Sequence, residues 1–232
     1  MNVNPALVLV HGAFHHPSVW KSLVAEFSKE VDIRTVALPS CGKRPEILGD
    51  MYSDADVVRS TVEGIGGPVV VCAHSYGGIP VTEALAGVDN VSRLVYLCAF
   101  QLDVGESLLS AVGGTPPDWW QVHEPDGYLD ALRPEEIFYA DLDPTTVREA
   151  ITQLSHQSLR SMTQALTRAA WHNTPSTYIV CERDAAIPVA AQQAMAHRAQ
   201  RVRRMDTSHV PFLSRPAELA VLLRGELTPV QA

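Results

Sequence analysis

A serine hydroxyl becomes a nucleophile only when a base takes its proton, so the informative residues in this chain are a serine, a histidine and an acid in matching settings. Ser75 sits at the centre of Ala73-His74-Ser75-Tyr76-Gly77. Before it runs the apolar stretch Pro68-Val69-Val70-Val71-Cys72, and after it Gly78, Pro80, Val81, Ala84 and Leu85 follow with helical spacing. A serine at such a strand-to-helix corner carries a strained backbone, and the residues two places away on either side must be small for strand and helix to approach. Ala73 and Gly77 meet that condition, with Ala73 adding one methyl to the pattern G-x-S-x-G. Taken alone, the pentapeptide also suits a nucleotide-binding turn or plain packing.

Other parts stand where the chemistry needs them. Ala6-Leu7-Val8-Leu9-Val10 reads as a short strand running into His11-Gly12-Ala13-Phe14, where glycine lets the loop turn a backbone N–H toward the serine. Thr177-Tyr178-Ile179-Val180-Cys181 reads as a strand followed by Glu182-Arg183-Asp184. Arg201-Val202-Arg203-Arg204-Met205 alternates like an edge strand and leads to Asp206-Thr207-Ser208-His209. Serine, acid and histidine thus occur in that order, each just after a predicted strand. In a parallel sheet those strand ends share one edge. Asp103, soon after the strand that ends at Phe100, is the alternative acid.

The elements that must hold these residues alternate strand and helix. Val19, Trp20, Leu23, Val24 and Phe27 recur at helical spacing, and Asp32 to Leu38 forms a strand ended by Pro39. Ser53 with Asp56 resembles the capping start of a helix carrying Val57, Val58, Val62 and Ile65. A strand is expected over Arg93 to Phe100. The last helix begins at Pro216 and buries Leu219, Ala220, Leu222 and Leu223, with a frayed end past Leu227. From about 103 to 170 the alternation breaks, with Gly113-Gly114, Pro116-Pro117, Trp119-Trp120, Pro125, Pro134 and Pro144 in place of strands.

The 232 residues suit a single α/β domain with a sizeable core. A net charge of −8 argues against a nucleic-acid partner, and the short basic cluster from Arg198 to Arg204 reads as a solvated surface. No apolar run approaches the roughly 20 residues of a membrane span. Met1-Asn2-Val3-Asn4-Pro5 lacks a basic leader, so a cytoplasmic protein is expected. Of the four cysteines, Cys72, Cys98 and Cys181 fall in predicted core strands, while Cys41 lies in a loop with no base nearby in sequence. The nine histidines form no metal-ligand pattern. The adjacent His15 and His16 should point apart and shield the loop after the first strand, while His123 and His156 read as polar residues of the insertion. No metal or cofactor is called for.

The chain resembles the α/β-hydrolases, and within them the small bacterial esterases related to plant methyl esterases and hydroxynitrile lyases. The resemblance rests on Val8-Leu9-Val10-His11-Gly12-Ala13, on the pentapeptide with Gly78 behind it, and on Leu94-Val95-Tyr96-Leu97-Cys98-Ala99-Phe100 with Gly105-Glu106-Ser107. It extends to Asp184-Ala185-Ala186-Ile187-Pro188 and Ser208-His209-Val210-Pro211-Phe212-Leu213, nearly the whole chain. It implies an α/β-hydrolase fold: one domain over 1–232, a mostly parallel sheet flanked by helices, and a small cap at about 103–170 before the acid-bearing strand. Ser75 is then the nucleophile, His209 the base and Asp184 its partner. The oxyanion donors are the backbone N–H groups of Ala13 and Tyr76, with Phe14 as the alternative to Ala13. The implied substrate is a small or medium, largely apolar or aryl carboxylic ester. It would lie beside Gly12, Phe14, Trp119, Trp120, Phe138 and Val210, with Tyr139 and Leu159 completing the roof. Plant-type hydroxynitrile lyases carry a threonine at the position of Gly12 and a lysine after the histidine, where this chain has Val210. Both departures favour ester hydrolysis over cyanohydrin cleavage. A non-hydrolytic catalyst on the same triad (lyase, cyclase or transacylase) and a small-molecule receptor are the alternatives, and a homodimer is left open.

Overall fold

Valine-rich runs without polar alternation are buried on both faces, as a parallel sheet covered by helices requires. The structure, a computed structural model, describes residues 5–27, 29 and 31–228. Its strands are β1 (Ala6–Val10), β2 (Ile33–Val36), β3 (Cys41–Gly42), β4 (Val69–His74), β5 (Val91–Leu97), β6 (Trp120–His123), β7 (Tyr128–Ala131), β8 (His156–Ser158), β9 (Ser176–Cys181) and β10 (Arg201–Met205). Six of them form one sheet in the order β10-β9-β5-β4-β1-β2, with every neighbouring pair parallel. All residues of β1, β4 and β9 are buried. β10 lies at the edge, pairing with β9 alone in that sheet and exposing most of its residues on both faces, which explains its three arginines; the alternation expected from sequence does not appear in its burial.

The chain leaves β1 for β2 on one side and returns to β4 on the other. A crevice therefore opens at the carboxyl ends of β1 and β4, where an open α/β sheet receives ligands. The loop His11–Phe14 follows β1 and Ser75 follows β4, so this topology alone brings them together. Val10 pairs in register with Ala73.

The helix before β4 runs Met51–Glu63, starting earlier than the sequence pattern suggested. Its N-cap is Asp50, whose carboxylate accepts the Ser53 N–H at 3.0 Å, while Ser53 Oγ accepts the Asp50 N–H at 2.8 Å. Ser53 is therefore the third helical residue of a capping box, not the cap itself. The final helix, Pro216–Leu227, begins where expected.

The insertion is not strand-free. β6, β7 and β8 are antiparallel and make a four-stranded sheet with β3, which comes from the loop after β2. Strands of three or four residues among proline and tryptophan turns carry too little periodicity to be read from sequence. The two ends of the insertion are tied together by Gly105 N–H to Leu166 O (2.8 Å) and Leu166 N–H to Glu106 O (2.9 Å). The buried Glu83 carboxylate accepts the N–H groups of Thr167 and Arg168, anchoring the return of the insertion to the core. No helix among the described residues is long and apolar enough to cross a membrane. The readings of residues 1–4 as a start without a leader and of residues 229–232 as a frayed end lie outside the described residues.

Candidate active site

Ser75 occupies a left-handed backbone conformation, φ 53°, at the turn between β4 and the helix Gly78–Ala84. A residue with a Cβ rarely adopts this region, and the surroundings must hold it there. They do so by close approach. A Cβ on Gly77 would come within 2.5 Å of His11 O, and one on Gly78 within 2.4 Å of Phe100 O. Phe100 N–H also donates to Ser75 O at 3.0 Å. The result is a hydroxyl raised above the sheet edge and partly exposed.

Three side chains predicted from separate strand ends meet here. His209 Nε2 lies 3.0 Å from Ser75 Oγ, and His209 Nδ1 lies 2.8 Å from Asp184 Oδ2. A carboxylate can only accept, so Nδ1 carries the hydrogen and Nε2 is left to accept from the serine. Asp184 is fixed in turn. Its Oδ1 accepts the N–H groups of Ala186 (2.8 Å) and Ile187 (3.0 Å), and its Oδ2 also accepts from Gln192 Nε2 at 3.0 Å. Gln192 is fully buried and was not singled out from the sequence, because a glutamine amid the alanines of Val189–Ala196 carries no signal of its direction. Asp103 is elsewhere: it pairs with His172 at 3.0 Å at the start of the insertion.

A layer of neutral histidines supports this chain. His74 Nε2–H donates to His209 O at 2.8 Å, its ring lies 4.5 Å from that of His209, and burial holds its pKa well below the ordinary imidazole value. His15 Nδ1–H donates to Ala13 O (2.8 Å) and its Nε2 accepts from the Tyr139 hydroxyl (3.1 Å), with burial bringing its pKa down to about 3. His11 accepts the Leu38 N–H on Nε2 at 3.2 Å and donates Nδ1–H to Gly12 O at 2.9 Å; burial brings it to about 4. His16 points away from His15 and caps the following turn by accepting the Ser18 N–H.

Over Ser75 lies a cavity of about 30 Å³, room for a water or two. Phe14, Trp119, Trp120 and Phe138 line it, as the sequence suggested, joined by Phe100, Leu108, Val112, Met162 and Ile187. No charged side chain lines it apart from the titratable His209. Gly12 and Val210 are not among the lining residues. Val210 is wholly buried in the core, and its carbonyl accepts the Leu213 N–H. Gly12 serves by absence of a side chain, since a Cβ there would meet Ser75 Cβ at 2.7 Å and His74 Nδ1 at 2.8 Å. Tyr139 turns to His15, and Leu159 also lies off the cavity.

The Tyr76 N–H sits in the first turn after β4, where a helix has no internal acceptor for it. The Phe14 N–H is directed to Gln157 Oε1 at 3.4 Å, whereas the Ala13 N–H has no backbone or side-chain acceptor among the described residues. For a metal, the donor atoms of His74, Cys98 and His209 lie within 4.8 Å of one another. Binding there would displace contacts of His209, whose two nitrogens already face Asp184 and Ser75. The Cys41 thiol donates to His15 O at 3.0 Å and burial pushes its pKa up, which keeps it protonated and unreactive.

The fold has parallels among known proteins. Residues 7–222 match the model of the Alpha/beta hydrolase family. The chain is 30% identical to the alpha/beta hydrolase nvfD of Aspergillus novofumigatus, covering 96% of each chain. It is 25% identical to Methylesterase 7 of Arabidopsis thaliana, again over 96% of each. The solved structure of polyneuridine aldehyde esterase superposes with a TM-score of 0.83 at 20% identity, covering 97% of this chain and all of that one. With a parallel six-stranded sheet, a serine at the β4 turn and a family match across almost its whole length, this chain belongs to the alpha/beta hydrolase family.

Proposed function

We propose that this protein is a serine hydrolase that cleaves small or medium, uncharged carboxylic esters through an acyl-enzyme. The observation that carries the reading is the unbroken run Ser75 Oγ, His209, Asp184 beneath an apolar, aromatic-roofed cavity. His209 Nε2 takes the serine proton as Oγ attacks the ester carbonyl, and Asp184 holds the tautomer and stabilises the imidazolium. The backbone N–H groups of Ala13 and Tyr76 receive the developing oxyanion; Phe14 is the poorer second donor because Gln157 already takes its N–H. His209 then gives its proton to the departing alcohol, and water repeats the sequence in reverse on the acyl-enzyme. An ester fits once the aromatic roof yields, since the resting cavity holds little more than water. The name of Methylesterase 7 agrees with this chemistry.

Cyanohydrin cleavage is the less favoured reading. A threonine at position 12 has no room against Ser75 and His74, and the side chain at position 210 is buried away from the cavity. With p-nitrophenyl acetate, a burst of one p-nitrophenol per active site is expected, together with negligible cyanide release from mandelonitrile. Efficient cyanide release without ester turnover would reverse the assignment, and a chain that binds but turns over neither would be a receptor.

Asp184→Asn is expected to lower turnover by about 10⁴, because the amide stabilises the wrong imidazole tautomer. Asp103→Asn should stay close to wild type, since Asp103 pairs with His172 at the start of the insertion and makes no contact with His209 among the described residues. Steady-state kinetics of the two variants side by side check the choice of acid.

A further inference from the structure

Asp54 is a carboxylate with no role in the mechanism above, yet it lies fully buried on the helix Met51–Glu63, facing the turn that bears Ser75. Its Oδ2 accepts from the Tyr76 hydroxyl and from Ser40 Oγ, both at 2.5 Å, and its Oδ1 accepts the Ser40 N–H at 2.8 Å. Ser40 Oγ accepts in turn from Gln157 Nε2 at 2.8 Å, and Gln157 Oε1 accepts the Phe14 N–H. Gln157 Nε2 also reaches Ser161 Oγ at 2.7 Å. Asp54, Tyr76, Ser40, Gln157 and Ser161 are all without solvent exposure.

One polar path therefore joins the two loops whose N–H groups face the carbonyl oxygen. At one end it holds the side chain of Tyr76, whose backbone supplies one donor. At the other it holds the peptide between Ala13 and Phe14, whose carbonyl is fixed separately by His15 Nδ1. Phe14 needs such restraint, because it too sits in the left-handed region at φ 64°. Ser155 N–H, donating to Phe14 O at 2.8 Å, fixes its other side.

We propose, on the serine-hydrolase reading above, that Asp54 is a positioning residue that sets the spacing of the Ala13 and Tyr76 N–H groups through Tyr76 and through Ser40 and Gln157. A preorganised donor pair acts on the transition state more than on the bound ester, so its disturbance shows in kcat. The carboxylate is needed in its charged form, which accepts from two hydroxyls and a peptide at once. Burial raises its pKa to about 6, opposed by the hydrogen bonds from Ser40 and Tyr76. The titratable groups facing it are Tyr76 from the turn, Cys41 from the loop after β2 and Asp50 from its own helix; the insertion contributes the neutral Gln157 and Ser161.

The test is kinetic, on full-length protein with p-nitrophenyl acetate. Asp54→Asn and Tyr76→Phe are each expected to lower kcat by roughly 10- to 100-fold with KM nearly unchanged, the size of a small misplacement of oxyanion donors. Affinity for a boronic acid, which mimics the tetrahedral state, should fall in step with kcat. The double variant should be little worse than either single one, because both break the same link. In wild type the acid limb of kcat should include the loss of the Asp54 charge near pH 6, and in Asp54→Asn that component should vanish. Tyr76→Phe removes one hydroxyl and carries the test if Asp54→Asn fails to fold. Wild-type kcat in Tyr76→Phe, or fully multiplicative losses in the double variant, would overturn the positioning role while leaving the acyl-enzyme burst of wild type intact. Absence of that burst, with turnover surviving Ser75→Ala, overturns the hydrolase reading and the role of Asp54 with it.

Discussion

Ser75→Ala is expected to lower ester turnover by on the order of 10⁶ while the protein folds and melts much as wild type does. The substitution removes one oxygen and one hydrogen bond, that to His209 Nε2, and leaves the interactions that hold the turn: the tight seats of Gly77 and Gly78 and the bond from Phe100 N–H to Ser75 O. His209 stays fixed by Asp184 and by the His74 Nε2–H bond to its carbonyl. Any residual rate comes from the oxyanion donors and binding alone, which in a triad enzyme still exceed water by roughly 10³ to 10⁴. Kinetics on purified variant, with melting temperature as the control, decide the matter. Turnover above a small fraction of wild type in folded Ser75→Ala removes the serine from the mechanism, and His209→Ala should behave like it.

Acid should unfold this protein, and the same histidine layer is the cause. His11, His15 and His74 are held neutral by burial, at about 4, about 3 and well below the ordinary 6.5, but each takes a proton near 6.5 once the chain unfolds. Their contribution is therefore complete above pH 6.5 and is lost as pH falls toward the folded values. Asp54 opposes them. Its folded pKa is raised from 3.8 to about 6, so it takes its proton first in the folded state and adds stability as pH falls from 6 to 4. Three groups favour unfolding as pH falls and one opposes them, so stability falls with pH across that window. Denaturant melts at pH 7, 6 and 5 should show midpoints falling as pH falls, with a net uptake of protons on unfolding. A stability independent of pH over this range would show that the three imidazoles are not desolvated.

What could be read from sequence was what chemistry fixes in both residue type and position. Ser75 directly follows a strand, Asp184 and His209 come a few residues after theirs, and a parallel sheet gathers those ends at one edge, so type and order pointed to them. The pocket aromatics Trp119, Trp120 and Phe138 line the cavity because a roof in a short insertion is built from its largest side chains, and Phe14 joins them from the loop after β1. Val210 does not join them. Adjacency to His209 in sequence says nothing about which way a side chain faces, and this one faces the core. Asp54 went unread although a signal existed. Met51, Asp54, Val58 and Val62 are spaced by three or four residues and all are buried, so an acid lay on the apolar stripe of its helix. Placing the helix start at Ser53 hid the first of these positions. Strands β6 to β8 went unread for a different reason: their order depends on pairing with one another and with β3, a long-range fact.

The pairing of β3 with β8 also bears on modularity. An insertion joined to its host only at two adjacent chain ends can be lengthened, exchanged or deleted as a cassette. Here the cassette has a third attachment, through Cys41 and Gly42 paired with Gln157 and His156, through Ser158 N–H to Ser40 O, and through Ser155 N–H to Phe14 O. Excising it would strip the acceptor from the Phe14 N–H and the donor Gln157 Nε2 from Ser40 Oγ at the same stroke. Swapping in a relative's roof to change what enters would thus also detune the loop beside Ser75, unless the incoming segment brings its own equivalent of Gln157. Cover and scaffold in this molecule must be inherited together.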